Sequence, residues 1–251
     1  MPPPRVTPAP ATRSPDRTMN SDRIRDNLLS VQNRIADAAR RSGRDPASVK
    51  LVAVTKKRPA SMIRPLLEAG VVDLGENYPQ ELWDKVDELA DAPSPIRWHL
   101  IGHLQGNKAK RTFPLVRMIH AVDSLKLLRT LDELAADAAD PPSVCLQVNT
   151  SDEEAKHGWK GEAVLDDAEA LAACARIRVV GLMTMAAWGT DAETARPSFV
   201  RLRAIRDVLA RRIGRPLPEL SMGMSNDYES AVEEGATLVR VGSALFEGAE
   251  P

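Results

Sequence analysis

Lys56, Ser225, Arg240, Gly242 and Ser243 are the residues whose types and surroundings point to chemistry. Lys56 closes Leu51-Val52-Ala53-Val54-Thr55-Lys56, a short apolar run flanked by Pro46 and Ser48 before it and Pro59 after it. A run of this length and composition reads as one buried strand. Alternation places Val52, Val54 and Lys56 on one face, with Leu51, Ala53, Thr55 and Lys57 on the other. If the first face lines a barrel, the valines fill its layers and Lys56 stands at the rim. Burial lowers a lysine pKa and leaves a neutral amine, which can form a Schiff base with a carbonyl. Taken alone, a solvated lysine at a strand end is the simpler reading.

Two downstream segments shift that balance. Ser221-Met222-Gly223-Met224-Ser225-Asn226-Asp227 precedes a helix, and Arg240-Val241-Gly242-Ser243 closes a later strand. Together they offer hydroxyls, glycines and free amides after the last two strands, the usual barrel location for a phosphate group. Capping of the following helix by Ser225 and Asp227 is the competing reading, and the two are compatible. A rim lysine facing a phosphate site suits two ligand classes: sugar phosphates, as in Schiff-base aldolases, and pyridoxal phosphate. Arg240 would face the ligand, where it could hydrogen-bond a pyridine nitrogen. A salt bridge to a rim carboxylate such as Glu76 is the alternative for it.

The elements that must position these groups alternate along the chain. Strands are expected at 51–55, 71–75, 98–102, 118–122, 144–149, 179–185, 219–224 and 238–242. Helices are expected at 60–69, 78–90, 107–112, 124–138, 160–174, 191–213 and 227–234. An amphipathic helix runs ahead of them from Ser21 to about Ser42-Gly43, with Ile24, Leu28, Val31 and Ile35 at helical spacing. Eight strand–helix units predict a TIM-type (β/α)8 barrel with an extra N-terminal helix, as one domain over 21–251. The runner-up, an open doubly wound sheet, lacks its Gly-rich dinucleotide turn. Residues 1–20, with six prolines before residue 16, are expected to be a disordered extension.

A formal net charge of −1 argues against a nucleic-acid or membrane-surface protein. No apolar stretch is long enough to span a bilayer. Cys145 and Cys174 sit in apolar surroundings and are expected to be buried thiols rather than a disulfide, which fits the cytoplasm. His99 and His103, four apart on the expected strand, lie about 13 Å apart at strand rise, so no metal site is expected. His99 is expected to hydrogen-bond within the rim. Lys108, Lys110 and Arg111 read as a solvated helix face.

The chain resembles the pyridoxal phosphate homeostasis protein family, barrels related to the amino-terminal domain of alanine racemase. The likeness spans about residues 21–248. It is carried by Leu51 to Lys56, by Gly75-Glu76-Asn77-Tyr78 with Gln80-Glu81, and by Trp98-His99-Leu100-Ile101-Gly102-His103-Leu104-Gln105-Gly106-Asn107-Lys108. Val122-Asp123-Ser124, Gln147-Val148-Asn149, Lys156-His157-Gly158, Gly181-Leu182-Met183 and the two phosphate-loop segments continue it. The resemblance implies that Lys56 holds pyridoxal 5'-phosphate (PLP) as a Schiff base. It also implies that Ser225, Gly242 and Ser243 bind the phosphate, that Arg240 faces the pyridine nitrogen, and that Asn77 and Met222 line the pocket. Thr55 departs from the frequent serine, and Ala186-Ala187-Trp188-Gly189 leaves the usual pattern. The expected function is non-catalytic PLP homeostasis: the protein holds the cofactor, or other B6 vitamers, and delivers it to PLP-dependent apoenzymes as a monomer. Against it stand a racemase-like enzyme, a Schiff-base aldolase, and an interaction protein with a vestigial barrel. Racemisation needs acid–base groups on both faces of the substrate carbon, and Tyr78 and Tyr228 are the only tyrosines to supply the second.

Overall fold

A computed structural model of the chain describes residues 15–151, 153–154, 156–187 and 191–249, with side chains from Met19 onward. Its strands are β1 (Lys50–Val54), β2 (Asp73–Glu76), β3 (Arg97–Leu100), β4 (Met118–Val122), β5 (Ser143–Asn149), β6 (Trp159–Lys160), β7 (Arg178–Met183), β8 (Glu219–Ser221) and β9 (Leu238–Val241). The helices are α1 (Pro15–Arg41), α2 (Ala60–Glu68), α3 (Pro79–Glu88), α4 (Gly106–Thr112), α5 (Leu125–Ala135), α6 (Ala168–Ala173), α7 (Ala192–Ile213) and α8 (Tyr228–Glu233). Every strand pairing is parallel. The order β1-β2-β3-β4-β5-β7-β8-β9 closes on itself through β9 and β1, while β6 hangs on the outer side of β5. The expected (β/α)8 barrel is therefore observed, with its extra helix α1 ahead of β1.

The eight expected strands all form, with edges moved for identifiable reasons. Val71 belongs to the turn that ends α2, its N–H bonded to Leu66 O, so β2 starts at Asp73. The strand expected at 219–224 stops at Ser221, because Gly223 takes a φ of +94°. The helix expected at 160–174 divides into a 3-10 turn, Gly161–Leu165, and the short α6, with β6 just ahead of it. Gly161, at φ +49°, breaks the run at its start. Helix α1 begins at Pro15, six residues before the expected Ser21, so positions 15–20 of the expected extension are helical; residues 1–14 lie outside the described residues.

Side-chain alternation produces two apolar layers. Ala53, Leu74, Leu100, Ile119, Val144, Leu182, Leu220 and Val239 face outward and pack under the helices. Val52, Met118, Ala121, Cys145, Met183 and Leu238 fill the barrel interior. Val52 thus lies on the inner face, as the alternation requires. The two cysteines are free and buried, Cys145 inside the barrel and Cys174 in the outer layer. Burial pushes the Cys145 thiol far up. No helix among the described residues is long and apolar enough to cross a membrane.

Helix α1 braces the molecule from outside. Its apolar stripe of Ile24, Leu28, Val31 and Ile35 is buried against α2 and α8. Asn27 donates to Leu245 O and Glu247 O, tying α1 to the segment that follows β9.

Candidate functional site

The carboxyl ends of β1, β8 and β9 converge at one edge of the rim. In the β1–β9 register Val52 lies opposite Arg240, which sets Val54 level with Gly242 and Lys56 about one strand layer above. A Cβ added to Gly242 would sit 3.2 Å from Val54 Cβ, so a small residue lets the two strand ends approach.

Lys56 is exposed in the turn after β1, and the residues beside it are firmly held. Thr55 Oγ1 donates to Glu76 Oε1 at 2.5 Å, and Lys85 Nζ donates to Glu76 Oε1 at 2.6 Å and to Thr55 O at 2.7 Å. Burial raises the Glu76 pKa, against the hydrogen bonds of Lys85 and Thr55. On the far side Lys57 adopts a left-handed φ of 58°, and its N–H donates to Glu81 Oε2 at 2.8 Å. Lys56 is thus a free side chain on an anchored backbone. Glu76 answers to a lysine of α3 instead of Arg240, so the salt bridge weighed for that pair does not form.

At the β8 and β9 ends, Ser225 Oγ accepts from the N–H groups of Gly242 at 3.2 Å and Ala244 at 3.3 Å. Asp227 precedes α8, yet its carboxylate accepts from Met224 N–H instead of capping the helix. Neither residue performs the capping considered for it. Gly223 is required where it stands: a Cβ would lie 2.6 Å from Ala231 Cβ. Ser243 is exposed, while Asn77, Ser225 and Gly242 are half-buried. Gly102 closes over Asn77, with a Cβ position 2.2 Å from Asn77 O. Met222 is fully buried in the outer apolar layer with Leu220, so its side chain presents no surface to the rim.

Arg240 lies inside the barrel and is 4 % exposed. It donates to Ser221 Oγ at 2.7 Å and to Thr184 O at 2.9 Å, both uncharged partners. Burial lowers its pKa to about 10, against the opposing field of Asp227. From Ser221 a hydrogen-bonded chain crosses the interior. Ser221 Oγ meets His120 Nδ1 at 2.7 Å, His120 Nε2 meets His99 Nδ1 at 2.9 Å, and His99 Nε2 meets Asp73 Oδ1 at 2.9 Å. Arg97 holds the far end with two bonds to Asp73.

With both imidazoles neutral, the carboxylate end of that chain decides its protons. Arginine only donates and an ionised carboxylate only accepts. Ser221 therefore donates to His120 Nδ1, His120 Nε2–H donates to His99, and His99 Nε2–H donates to Asp73. Both imidazoles are neutral, and burial lowers the pKa of each. Burial opposes ionisation of Asp73, but the bonds from His99 and Arg97 outweigh it and bring its pKa to about 2. His99 is thus deep in the barrel, not at the rim. β3 ends at Leu100, so His103 leaves the strand altogether.

The comparisons with known proteins join this geometry to a family. The alanine racemase N-terminal domain model matches residues 19–250. A pyridoxal phosphate homeostasis protein from Pseudomonas aeruginosa is 42 % identical over 223 residues, 89 % of this chain and 94 % of that one. The chain belongs to the pyridoxal phosphate homeostasis protein family. Among solved structures, PipY of Synechococcus elongatus, solved with PLP bound, aligns at a TM-score of 0.77 with 36 % identity, covering 89 % of this chain and 99 % of that one. Alanine racemase from Bartonella henselae, at 14 % identity and a TM-score of 0.70 over 92 % of this chain and 60 % of that one, shares the barrel fold.

Of the residues expected at the site, Lys56, Asn77, Ser225, Gly242 and Ser243 stand at strand ends, Arg240 lies below them inside the barrel, and Met222 is withdrawn into the core. Trp188 and Gly189, in the segment that departs from the family pattern, lie outside the described residues. The interior chain through Asp73, His120 and Ser221 was not anticipated. Its trace in the sequence is a buried histidine in each of two strands, β3 and β4.

Proposed function

We propose that the chain binds pyridoxal 5'-phosphate covalently through Lys56 and serves to hold and deliver it within the cytoplasm, without substantial turnover of amino acids. The observation that carries this reading is Arg240: a fully buried guanidinium with uncharged hydrogen-bond partners, one strand away from an exposed lysine and beneath the Ser225–Gly242 turn. A buried cation of this kind is costly unless something answers its charge or its remaining N–H groups. Two of its five donors are spent on Ser221 and Thr184. A ring nitrogen acceptor on a phosphorylated ligand fits the rest. The family relatives are named for pyridoxal phosphate homeostasis, and PipY has been solved with that cofactor.

The residues fit the group. Lys56 supplies the amine, Ser225, Gly242 and Ser243 surround the phosphate position, and Asn77 flanks the lysine from the end of β2. When bound, the cofactor supplies an aldehyde that the lysine captures reversibly, which suits storage and release. Arg240, which only donates, would leave a facing pyridine nitrogen unprotonated and so make the ring a poor electron sink for amino-acid chemistry. Of the two tyrosines, Tyr228 is buried and Tyr78 exposed in the turn after β2. A tyrosine opposite the lysine is thus at most Tyr78. Other B6 vitamers and PLP-dependent apoenzymes are the partners this reading implies, with the protein acting as a monomer.

The test is spectroscopic. Purified protein reconstituted with pyridoxal phosphate is expected to absorb in the visible, and borohydride with peptide mapping to place the adduct on Lys56. Transfer to an apoenzyme is expected to be measurable, with turnover of alanine far below the ordinary enzymatic range of roughly 1–10³ s⁻¹. An adduct elsewhere, or none, overturns the site; turnover within that range overturns the carrier role.

A further inference from the structure

A second cluster on the rim takes no part in that function. His103 lies in the turn after β3, Asp123 just beyond β4, and His157 in the segment after β5. His103 Nδ1 is 2.8 Å from Asp123 Oδ2, and His157 Nδ1 is 3.8 Å from the same oxygen. The two imidazoles stack with centroids 4.7 Å apart and planes 17° from parallel. One donor atom from each of the three side chains lies within 4.8 Å of the others, and no other such trio of His, Cys, Asp or Glu occurs among the described residues.

A surface hydrogen bond between a histidine and an aspartate is the simpler account, and it explains His103 alone. His157 lies beyond hydrogen-bond distance from the shared oxygen, yet its backbone is fixed so that the ring arrives there. Gln147 Nε2 donates to His157 O at 3.0 Å. Gly158, at φ +106°, packs so tightly on Gln147 that a Cβ would lie 2.4 Å from its carbonyl oxygen. Gly102 clamps the turn that carries His103. Asp123 is only 11 % exposed and sits between the buried β4 and Ser124, whose side chain caps α5. Three donors from three strand ends are therefore held in place by backbone contacts made elsewhere.

The donor set selects the ligand. Two imidazole nitrogens and one carboxylate oxygen suit a borderline divalent transition metal better than Ca2+ or Mg2+, which prefer oxygen. Tetrahedral bonds of about 2.0–2.1 Å put donors about 3.3 Å apart, a separation bracketed by the 2.8 Å and 4.8 Å found here. His103 and His157 side chains are 44 % and 64 % exposed, so the fourth position faces solvent. We propose that His103, Asp123 and His157 form a rim site for a divalent transition metal, Zn2+ foremost, with one coordination position open to water or an anion. Metal binding replaces the His103–Asp123 hydrogen bond and leaves the site with a net charge of +1.

The experiment is calorimetric titration of the untagged full chain with zinc chloride, after removal of adventitious metal by a chelator. One equivalent is expected to bind. His103→Ala and His157→Ala are each expected to weaken binding by at least about tenfold, the low end of what losing even an outer-shell partner costs a metal site. Both rings are exposed, so the variants should keep the wild-type melting temperature; His157→Gln serves as the milder substitution if His157→Ala unfolds. Binding should persist unchanged in Lys56→Ala, which separates this site from the cofactor site. Equal binding by the double variant His103→Ala, His157→Ala overturns the proposal, as does loss of binding in Lys56→Ala.

Discussion

Glu76 and Lys85 show how a single buried pair fixes the backbone just ahead of Lys56. Glu76 is fully buried, and Lys85 reaches it from α3 while also binding the carbonyl of Thr55. Thr55 is therefore held from both sides, one residue before Lys56. Its hydroxyl makes the bond to Glu76. Removing one partner of a buried ion pair leaves an uncompensated charge and costs about 3–5 kcal/mol. Lys85→Met is expected to lower unfolding stability by that amount in urea titrations and to loosen retention of the cofactor. The double variant Lys85→Met, Glu76→Gln should recover part of the loss, because the stranded carboxylate is gone. A single variant as stable as the parent would mean that the pair does not hold the strand end.

At the scale of elements, the strands could be read from their apolar runs, since each is buried on both faces. Their edges could not, because edges are set by neighbours in space: Leu66 claims Val71, and Ala231 leaves no room for a side chain at Gly223, whose positive φ ends β8. Alternation within the Leu51–Lys56 run gave the inward face of β1 correctly, and the glycines near 223 and 242 marked the turn gathered around Ser225. Two things stayed hidden. Met222 follows the inward Ser221 and so points outward, a consequence of where β8 ends. His103, Asp123 and His157 come from three separate loops, and no spacing along the chain foretells their meeting. Gly102 bears directly on how these loops pack. Gly102→Ala would drive a Cβ against the Asn77 carbonyl, and overpacking of this kind typically costs about 1–3 kcal/mol. Thermal melts should show that loss, together with weaker cofactor binding through displaced Asn77. An unchanged melt and unchanged binding would show that the two turns are not rigidly coupled.

The whole molecule encloses two titratable imidazoles at its centre. His99 and His120 are neutral in the fold and their pKa values are lowered, first by burial. In the unfolded chain each takes up a proton near the ordinary histidine value of about 6.5. The unfolded state then binds more protons, so stability falls as pH drops below that value. Two such groups give a slope of up to about 2.7 kcal/mol per pH unit until the folded-state values are reached. Asp73 adds a second acidic step: its contribution is complete above 3.8 and disappears as pH falls toward about 2. Urea midpoints measured between about pH 7 and 5 should show the first decline, and His120→Gln should reduce its slope. A flat profile across that range would contradict neutral imidazoles inside the barrel.

The same interior chain differs from hydrogen-bonded water in one respect. In ice each bridging proton can belong to either of two oxygens, and that freedom survives as residual entropy down to the lowest temperatures. Between Arg240 and Asp73 the choice is removed from the carboxylate end, which has only lone pairs to offer and passes its demand through two neutral imidazoles to Ser221. Every link must then point the same way, and reversing any one of them would leave two hydrogens, or none, facing each other somewhere along the line. The barrel encloses a row of four polar links with a single microstate and a fixed direction, a one-dimensional crystal with its order written in from its carboxylate end.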